Sequence, residues 1–248
     1  MKAMVLAAGL GTRLRPLTDD RPKALVEVAG RTLLEITLTR LRTFDIREVI
    51  VNVHHFADMV LDYLKANDNF GMRIEVSRED VLLDTGGGLK KAGHFFLEDS
   101  RNSDEPFLLH NVDVISTIDL RRMAKFHADK QALATLAVQD RKTSRYLLFN
   151  PQCQLCGRRS GRDGETEVVR PSSQTEALAF GGIHVISPRL IPLMAEEGIF
   201  SIITSYLRLA GHDEKILGFR ADEYYWRDLG RADDLQQAAR DIGQWAGF

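Results

Sequence analysis

The stretch that decides the reading of this chain is Lys2 to Leu25, KAMVLAAGLGTRLRPLTDDRPKAL. The apolar run Ala3 to Ala8 predicts a buried first strand. It breaks at once into a loop holding Gly9, Gly11 and cationic side chains, among them Arg13, Arg15 and Lys23. A strand end projects such a loop over the sheet edge, and glycines without a Cβ let backbone N–H groups approach an anion closely. Arginine adds a planar fork of donors matched to phosphate oxygens, and lysine adds a compact point charge. A dinucleotide-binding loop would need a third glycine where Leu14 stands, and an NTPase phosphate loop would need Gly-Lys-Ser/Thr. The remaining alternative is an ordinary strand-to-loop turn with solvated charges.

Beyond this stretch, strands and helices alternate. Thr32 to Phe44 has helical spacing with Thr32 and Glu35 placed for a capping box; Glu48 to Val53 is a strand, Phe56 to Leu64 a helix, and Met72 to Ser77 a strand. This predicts an α/β fold, a doubly wound and mostly parallel central sheet whose ligand crevice lies at the carboxyl ends of the strands. Asn52, His54 and His55 fall at one such end, where a turn former or a satisfied histidine is the ordinary outcome. Gly86, Gly87 and Gly88 precede a predicted helix from Leu89 to Phe96, and a close backbone approach to a flat group explains three glycines in a row. Pro106 to His110 predicts another buried strand. The carboxylate of Asp113, just beyond it, is where a divalent cation bound to phosphates would be held. A helix is expected from Ile118 to Lys130, opened by Ser116 and Thr117. Beyond about residue 141 the character shifts to short strands separated by Asn150-Pro151, Gly157, Gly161 and Gly164, a β-rich lobe added to the sheet. Gly181 and Gly182 interrupt the strand Leu178 to Ser187, as a bulge or a close ligand approach would require.

With 248 residues, 44% hydrophobic and a formal charge of −2, the chain supports one sizeable core and has no basic field for nucleic acid. We expect a single domain: a nucleotide core over residues 1–140, a lobe over 141–230 and a terminal helix over 231–248. No apolar run reaches membrane-spanning length and no secretory leader is visible, so a cytoplasmic protein is expected, as a monomer or small homo-oligomer. Cys153 and Cys156 have the spacing of half a zinc site, but they fall in a hairpin and read as incidental thiols.

Gly9-x-Gly11-Thr12-Arg13-Leu14-Arg15-Pro16-Leu17-Thr18, followed by Arg21-Pro22-Lys23-Ala24-Leu25-Val26-Glu27-Val28-Ala29-Gly30, resembles the signature of the sugar-1-phosphate nucleotidyltransferases. Short members of that family are uridylyl- or guanylyltransferases acting on N-acetylmuramate, mannose or heptose 1-phosphates. The resemblance implies catalytic roles for Arg13 and Lys23, and nucleotide contacts at Ala7, Gly9, Gly11, Thr12, Arg13, Glu79, Gly86 and Gly87. It implies sugar-phosphate contacts at Arg170, Gly181 and Gly182, and Mg²⁺ held by Asp113 and Asp228. Tyr224-Tyr225-Trp226-Arg227-Asp228-Leu229-Gly230 resembles the family segment carrying the second metal aspartate. Glu79 stands where many members have a base-reading glutamine, Asp84 where many have glycine, and Val112 where the family has the glycine of Gly-Asp. The implied reaction joins an NTP, UTP or GTP by preference, to a sugar 1-phosphate. A non-catalytic nucleotide-sugar-binding subunit is the alternative from another class, and it predicts loss of Arg13, Lys23, Asp113 or Asp228, all of which are present.

Overall fold

A computed structural model of the chain describes residues 1–98, 104–161 and 164–242; the last residues of the expected 231–248 segment lie outside these. In chain order the first half holds β1 (Ala3–Leu6), the hairpin β2 (Glu27–Val28) and β3 (Arg31–Thr32), α1 (Leu33–Thr43), β4 (Glu48–Val53) and α2 (Ala57–Ala66). Next come β5 (Arg73–Arg78), α3 (Asp84–Lys91), α4 (Gly93–Leu97), β6 (Phe107–Asn111), β7 (Val114–Ser116) and α5 (Leu120–Lys130). The second half holds β8 (Ala134–Gln139), β9 (Arg145–Phe149), β10 (Leu155–Ser160), β11 (Thr166–Val168) and β12 (Glu176–Ile186). It closes with α6 (Leu190–Leu193), α7 (Ile202–Gly211), β13 (Ile216–Arg220), β14 (Trp226–Asp228) and α8 (Ala232–Ile242).

The expected parallel sheet is built from β6-β1-β4-β5, with Val5 opposite both Val51 and His110. Antiparallel β12 joins β6 through its second half and β9 through its first, so the lobe β9-β10-β11 continues the same sheet. Side chains of a strand alternate between faces, and the core divides accordingly. Ala3, Val5, Val49, Val51 and Leu108 pack in one cluster with residues of α1, α2, α5 and α8. Met4, Ile50, Phe107 and Leu109 pack in another with residues of α3, α4, α6 and α7. This two-sided burial is why β1, β4 and β6 read as continuous apolar runs. Each fully buried leucine, such as Leu34, Leu38 or Leu41 of α1, contributes roughly 2 kcal/mol of transfer free energy.

Local signals explain several boundaries. Thr32 caps α1 by accepting from the Glu35 N–H at 3.0 Å, while the Glu35 carboxylate turns to Arg31 and Tyr63. Two expectations need correcting. The cap of α5 is Asp119, whose carboxylate accepts from the N–H groups of Arg121 and Arg122, because Ser116 is already committed to β7. And α3 begins at Asp84, so Gly86 to Gly88 lie inside a helix rather than before one.

Candidate functional site

Several chain segments converge on a cleft of about 360 Å³ at the carboxyl ends of the parallel strands. From the first loop come Ala7, Ala8, Gly9 and Lys23; from the ends of β4 and β5, Asn52 and Glu79; from the start of α3, Leu82, Asp84 and Thr85; and from β6, Asn111 to Asp113. Ile199, from the segment before α7, completes the lining.

The first loop leaves β1 and folds back over the sheet. Leu14, fully buried, pins it to the core; the Leu14 N–H donates to the Gly11 carbonyl at 2.8 Å, and the Thr18 hydroxyl donates to the same oxygen at 2.9 Å. Gly11 sits at φ +66°, where a Cβ would press on Thr18 and Lys23, so glycine is required there for conformation as well as space. Lys23 is 8% exposed, and its ammonium pairs with the Asp113 carboxylate. A buried cation beside a carboxylate at a strand end is costly to assemble for stability alone.

Asp113 and Asp228 are 115 positions apart in sequence, yet β7 and β14 run side by side, with Asp228 opposite Val114 and the Leu229 N–H donating to the Asp113 carbonyl at 2.7 Å. Asp228 accepts from the Gly230 N–H at 2.7 Å, and the Arg13 guanidinium lies over Gly230, where a Cβ would fall 2.5 Å from it. The expected metal pair and both expected catalytic cations are therefore brought together. Two carboxylates on adjoining strands suit Mg²⁺, which takes one or two protein carboxylates and completes its shell with water and phosphate oxygens. Among the described residues, the one group of three metal-type ligands within reach of a single ion is Glu75, His94 and Glu98, elsewhere on the surface. Neither cysteine belongs to it: Cys153 occupies a turn, and Cys156 is buried, its thiol pushed up by burial.

One functional element was hidden at the sequence level. Asn52, 2% exposed, accepts from the Ala7 N–H at 2.7 Å and donates to Glu79 at 2.7 Å; the other Glu79 oxygen accepts from the Leu83 N–H at 2.9 Å. This relay ties the first loop, two strand ends and the start of α3 into one rigid frame. Its only sequence signal was an asparagine at a strand exit. His54, beside it, is satisfied by the Glu79 carbonyl at 2.8 Å. Asp84 lines the cleft at φ +59° and caps its own turn onto the Thr85 N–H, which explains why glycine is also at home at this position.

Five residues expected as contacts are placed against other parts of the chain. Gly86 and Gly87 are absent from the lining: a Cβ on Gly86 would collide with the Phe200 ring and one on Gly87 with the Gly198 carbonyl, so the flat group they accommodate is part of this chain. Arg170 turns its guanidinium to the carbonyls of Ala210 and Glu214 at the end of α7, at 3.0 and 3.1 Å, where a cation complements the helix terminus. Gly181 and Gly182 form a bulge whose space is taken by Trp226 and Asn111; the Trp226 indole donates to the Gly181 carbonyl at 2.7 Å, and Arg141 stacks on that ring at 3.6 Å. They support the site's floor through Asn111.

The chain is similar to known proteins over nearly its whole length. The sequence model of the nucleotidyl transferase family matches residues 2–244. N-acetylmuramate alpha-1-phosphate uridylyltransferase of Caulobacter vibrioides is 36% identical over 237 residues, covering 92% of this chain and 91% of that one. Mannose-1-phosphate guanyltransferase of Yarrowia lipolytica is 27% identical over 95% of this chain, which spans 62% of its length. A crystal structure of HddC from Yersinia pseudotuberculosis complexed with GMP-PN shares the fold, with a TM-score of 0.74 at 20% identity over 97% of this chain and 99% of that one. No helix among the described residues is long and apolar enough to cross a membrane. From the first loop to the paired aspartates and over nearly its whole length, the chain belongs to the nucleotidyl transferase family.

Proposed function

We propose that the chain transfers a nucleotidyl group from UTP or GTP to a sugar 1-phosphate, forming an NDP-sugar and pyrophosphate. The observation that carries this reading is the convergence of Lys23, Asp113 and the first-loop backbone on one cleft, with Asp228 on the adjoining strand. A phosphate oxygen of the sugar 1-phosphate attacks the α-phosphorus in line. The new P–O bond forms as the bond to the β-phosphate oxygen breaks, and pyrophosphate departs with that electron pair. The nucleophile is already an anion, so the protein need supply no covalent intermediate; its task is to bring two polyanions together, which is positioning and electrostatic stabilisation.

In this scheme the backbone of Gly9 to Thr12 and the Arg13 guanidinium receive the leaving phosphates, while Lys23 serves the α-phosphate. The Asn52–Glu79 relay holds the first loop at a fixed distance from the start of α3. Asp113 and Asp228 would hold Mg²⁺, which when bound supplies neutralisation of phosphate charge. The names of the uridylyl and guanyl relatives support the choice of nucleotide. The test is pyrophosphate release with Mg²⁺, crossing the common NTPs with hexose, heptose and N-acetylmuramate 1-phosphates. Release that requires one NTP and one sugar phosphate together is expected. Silence across the panel with NTP binding intact would favour a binding subunit instead.

A further inference from the structure

Ile199 is a large aliphatic side chain that is 64% exposed, yet it lines the cleft. Its segment is clamped on both sides to α3, which lies more than a hundred residues earlier in the chain. The Lys90 ammonium donates to the Glu196 carbonyl at 2.8 Å and pairs with the Glu197 carboxylate at 2.5 Å. The Phe200 carbonyl accepts from the Gly86 N–H at 2.9 Å and the Gly87 N–H at 3.3 Å, the Phe200 N–H donates to the Leu83 carbonyl at 3.2 Å, and the Ile202 N–H donates to the Thr85 hydroxyl at 3.0 Å. Gly198 takes φ +71° to make the approach. The two helical glycines, unfavourable by about 1 kcal/mol each relative to alanine, exist to seat this segment. What the clamp accomplishes is to hold one apolar side chain at a fixed place on the cleft wall.

The cleft lining combines charged and apolar side chains. Lys23 and Asp113 form a charged pair in the lining; the part formed by α3 and its clamp holds Leu82, Thr85 and Ile199, with Asp84 between the first two and Val81, 59% exposed, preceding Leu82 in the chain. A nucleoside triphosphate has the matching combination, a polyanionic tail and a flat base with apolar faces. We propose that Ile199, together with Leu82, forms the apolar wall against which a face of the nucleobase packs, so that the nucleotide site is completed by a segment from the distant second half of the chain. This rests on the nucleotidyltransferase reading and extends it to a positioning residue outside the first loop.

The test compares the wild type with Ile199→Ser and Ile199→Val, the exposed position making folding of both variants straightforward to verify by melting curves. Calorimetry with UTP, GTP and inorganic tripolyphosphate, each with Mg²⁺, is set beside KM and kcat. For Ile199→Ser the NTP affinity is expected to fall and KM to rise about tenfold, from lost apolar contact. Under the same substitution kcat should change less than threefold and tripolyphosphate binding should be unchanged, and Ile199→Val should recover most of the loss. NTP affinity within twofold of wild type, or equal weakening of NTP and tripolyphosphate, would overturn the inference. A wild type that binds NTP without transferring it would overturn only the transferase reading, because the calorimetric comparison still decides the role of Ile199. A wild type that binds no nucleotide would overturn both.

Discussion

A methyl group added to Gly9 would meet no protein atom within 4 Å, whereas one added to Gly86 would run into the ring of Phe200. Both glycines belong to segments that the sequence marks as close-approach elements, but Gly9 lines the cleft while Gly86 lies inside α3, behind the lining. At Gly9 the absent side chain leaves open a cleft wall that also holds Lys23 and Asp113. At Gly86 and Gly87 it admits another part of the same chain, which then supplies Ile199 to the wall. The space left by Gly9 is open to the cleft, whereas the space left by Gly86 and Gly87 is filled by protein.

The largest effects are expected where the open side is attacked through its charges. Asp113→Asn should abolish Mg²⁺-dependent turnover, and Lys23→Ala or Arg13→Ala should lower it on the order of a hundredfold or more, as for loss of a preorganised donor. Steady-state kinetics on variants shown to be folded by circular dichroism is the check, and turnover within a few-fold of wild type would remove these residues from the assigned roles. The glycine contrast itself is next. Gly86→Ala should destabilise the fold by about 2–3 kcal/mol through overpacking against Phe200, lowering the melting temperature by roughly 6–10 °C. Gly9→Ala should leave the melting temperature nearly unchanged while weakening nucleotide binding about tenfold. If the two variants behaved alike in both assays, the distinction between the clusters would be lost.

Lowering the pH probes the scaffold shared by the two clusters. Burial pushes His110 down to about 4, His184 down to about 3 and His127 down to about 4. Each has an unfolded value near 6.5, so between about pH 6.5 and 4 the unfolded chain binds protons that the folded chain refuses. Stability is full above the unfolded value and falls with pH through that window, by up to about 1.4 kcal/mol per pH unit for each histidine. Denaturant melts at pH 7, 6 and 5 read this slope; a flat profile would contradict neutral burial. The smallest effect is expected at Arg170→Ala, about 1 kcal/mol of stability from the uncapped end of α7, with KM for the sugar 1-phosphate unmoved.

Much of the frame was legible because its signals are local. The bounds of β4 match the apolar run at Glu48 to Val53, and the Thr32 cap announces α1. The first loop announced itself by residue type, and the strand following Pro106 delivered Asp113 to a sheet edge as expected. What stayed hidden depends on partners far away in sequence. Asn52 reads as a turn former until Ala7 and Glu79 are placed around it. Gly86 reads as ligand-facing until Phe200, 114 positions later, occupies the space. Arg170 reads as a phosphate contact until the end of α7 arrives beneath it. A residue type states which chemistry is available, and only the fold states which group receives it.

The most direct test of nucleotidyl transfer in this cleft is the fate of label in the α-phosphate of the NTP, followed with Mg²⁺ and the sugar 1-phosphate that supports pyrophosphate release. In-line attack at the α-phosphorus predicts that all of the transferred label is joined to the sugar phosphate, with the β- and γ-phosphates leaving together as pyrophosphate. Label appearing instead in free nucleoside monophosphate, with pyrophosphate released and the sugar 1-phosphate unchanged, would mean hydrolysis rather than transfer and would contradict the account.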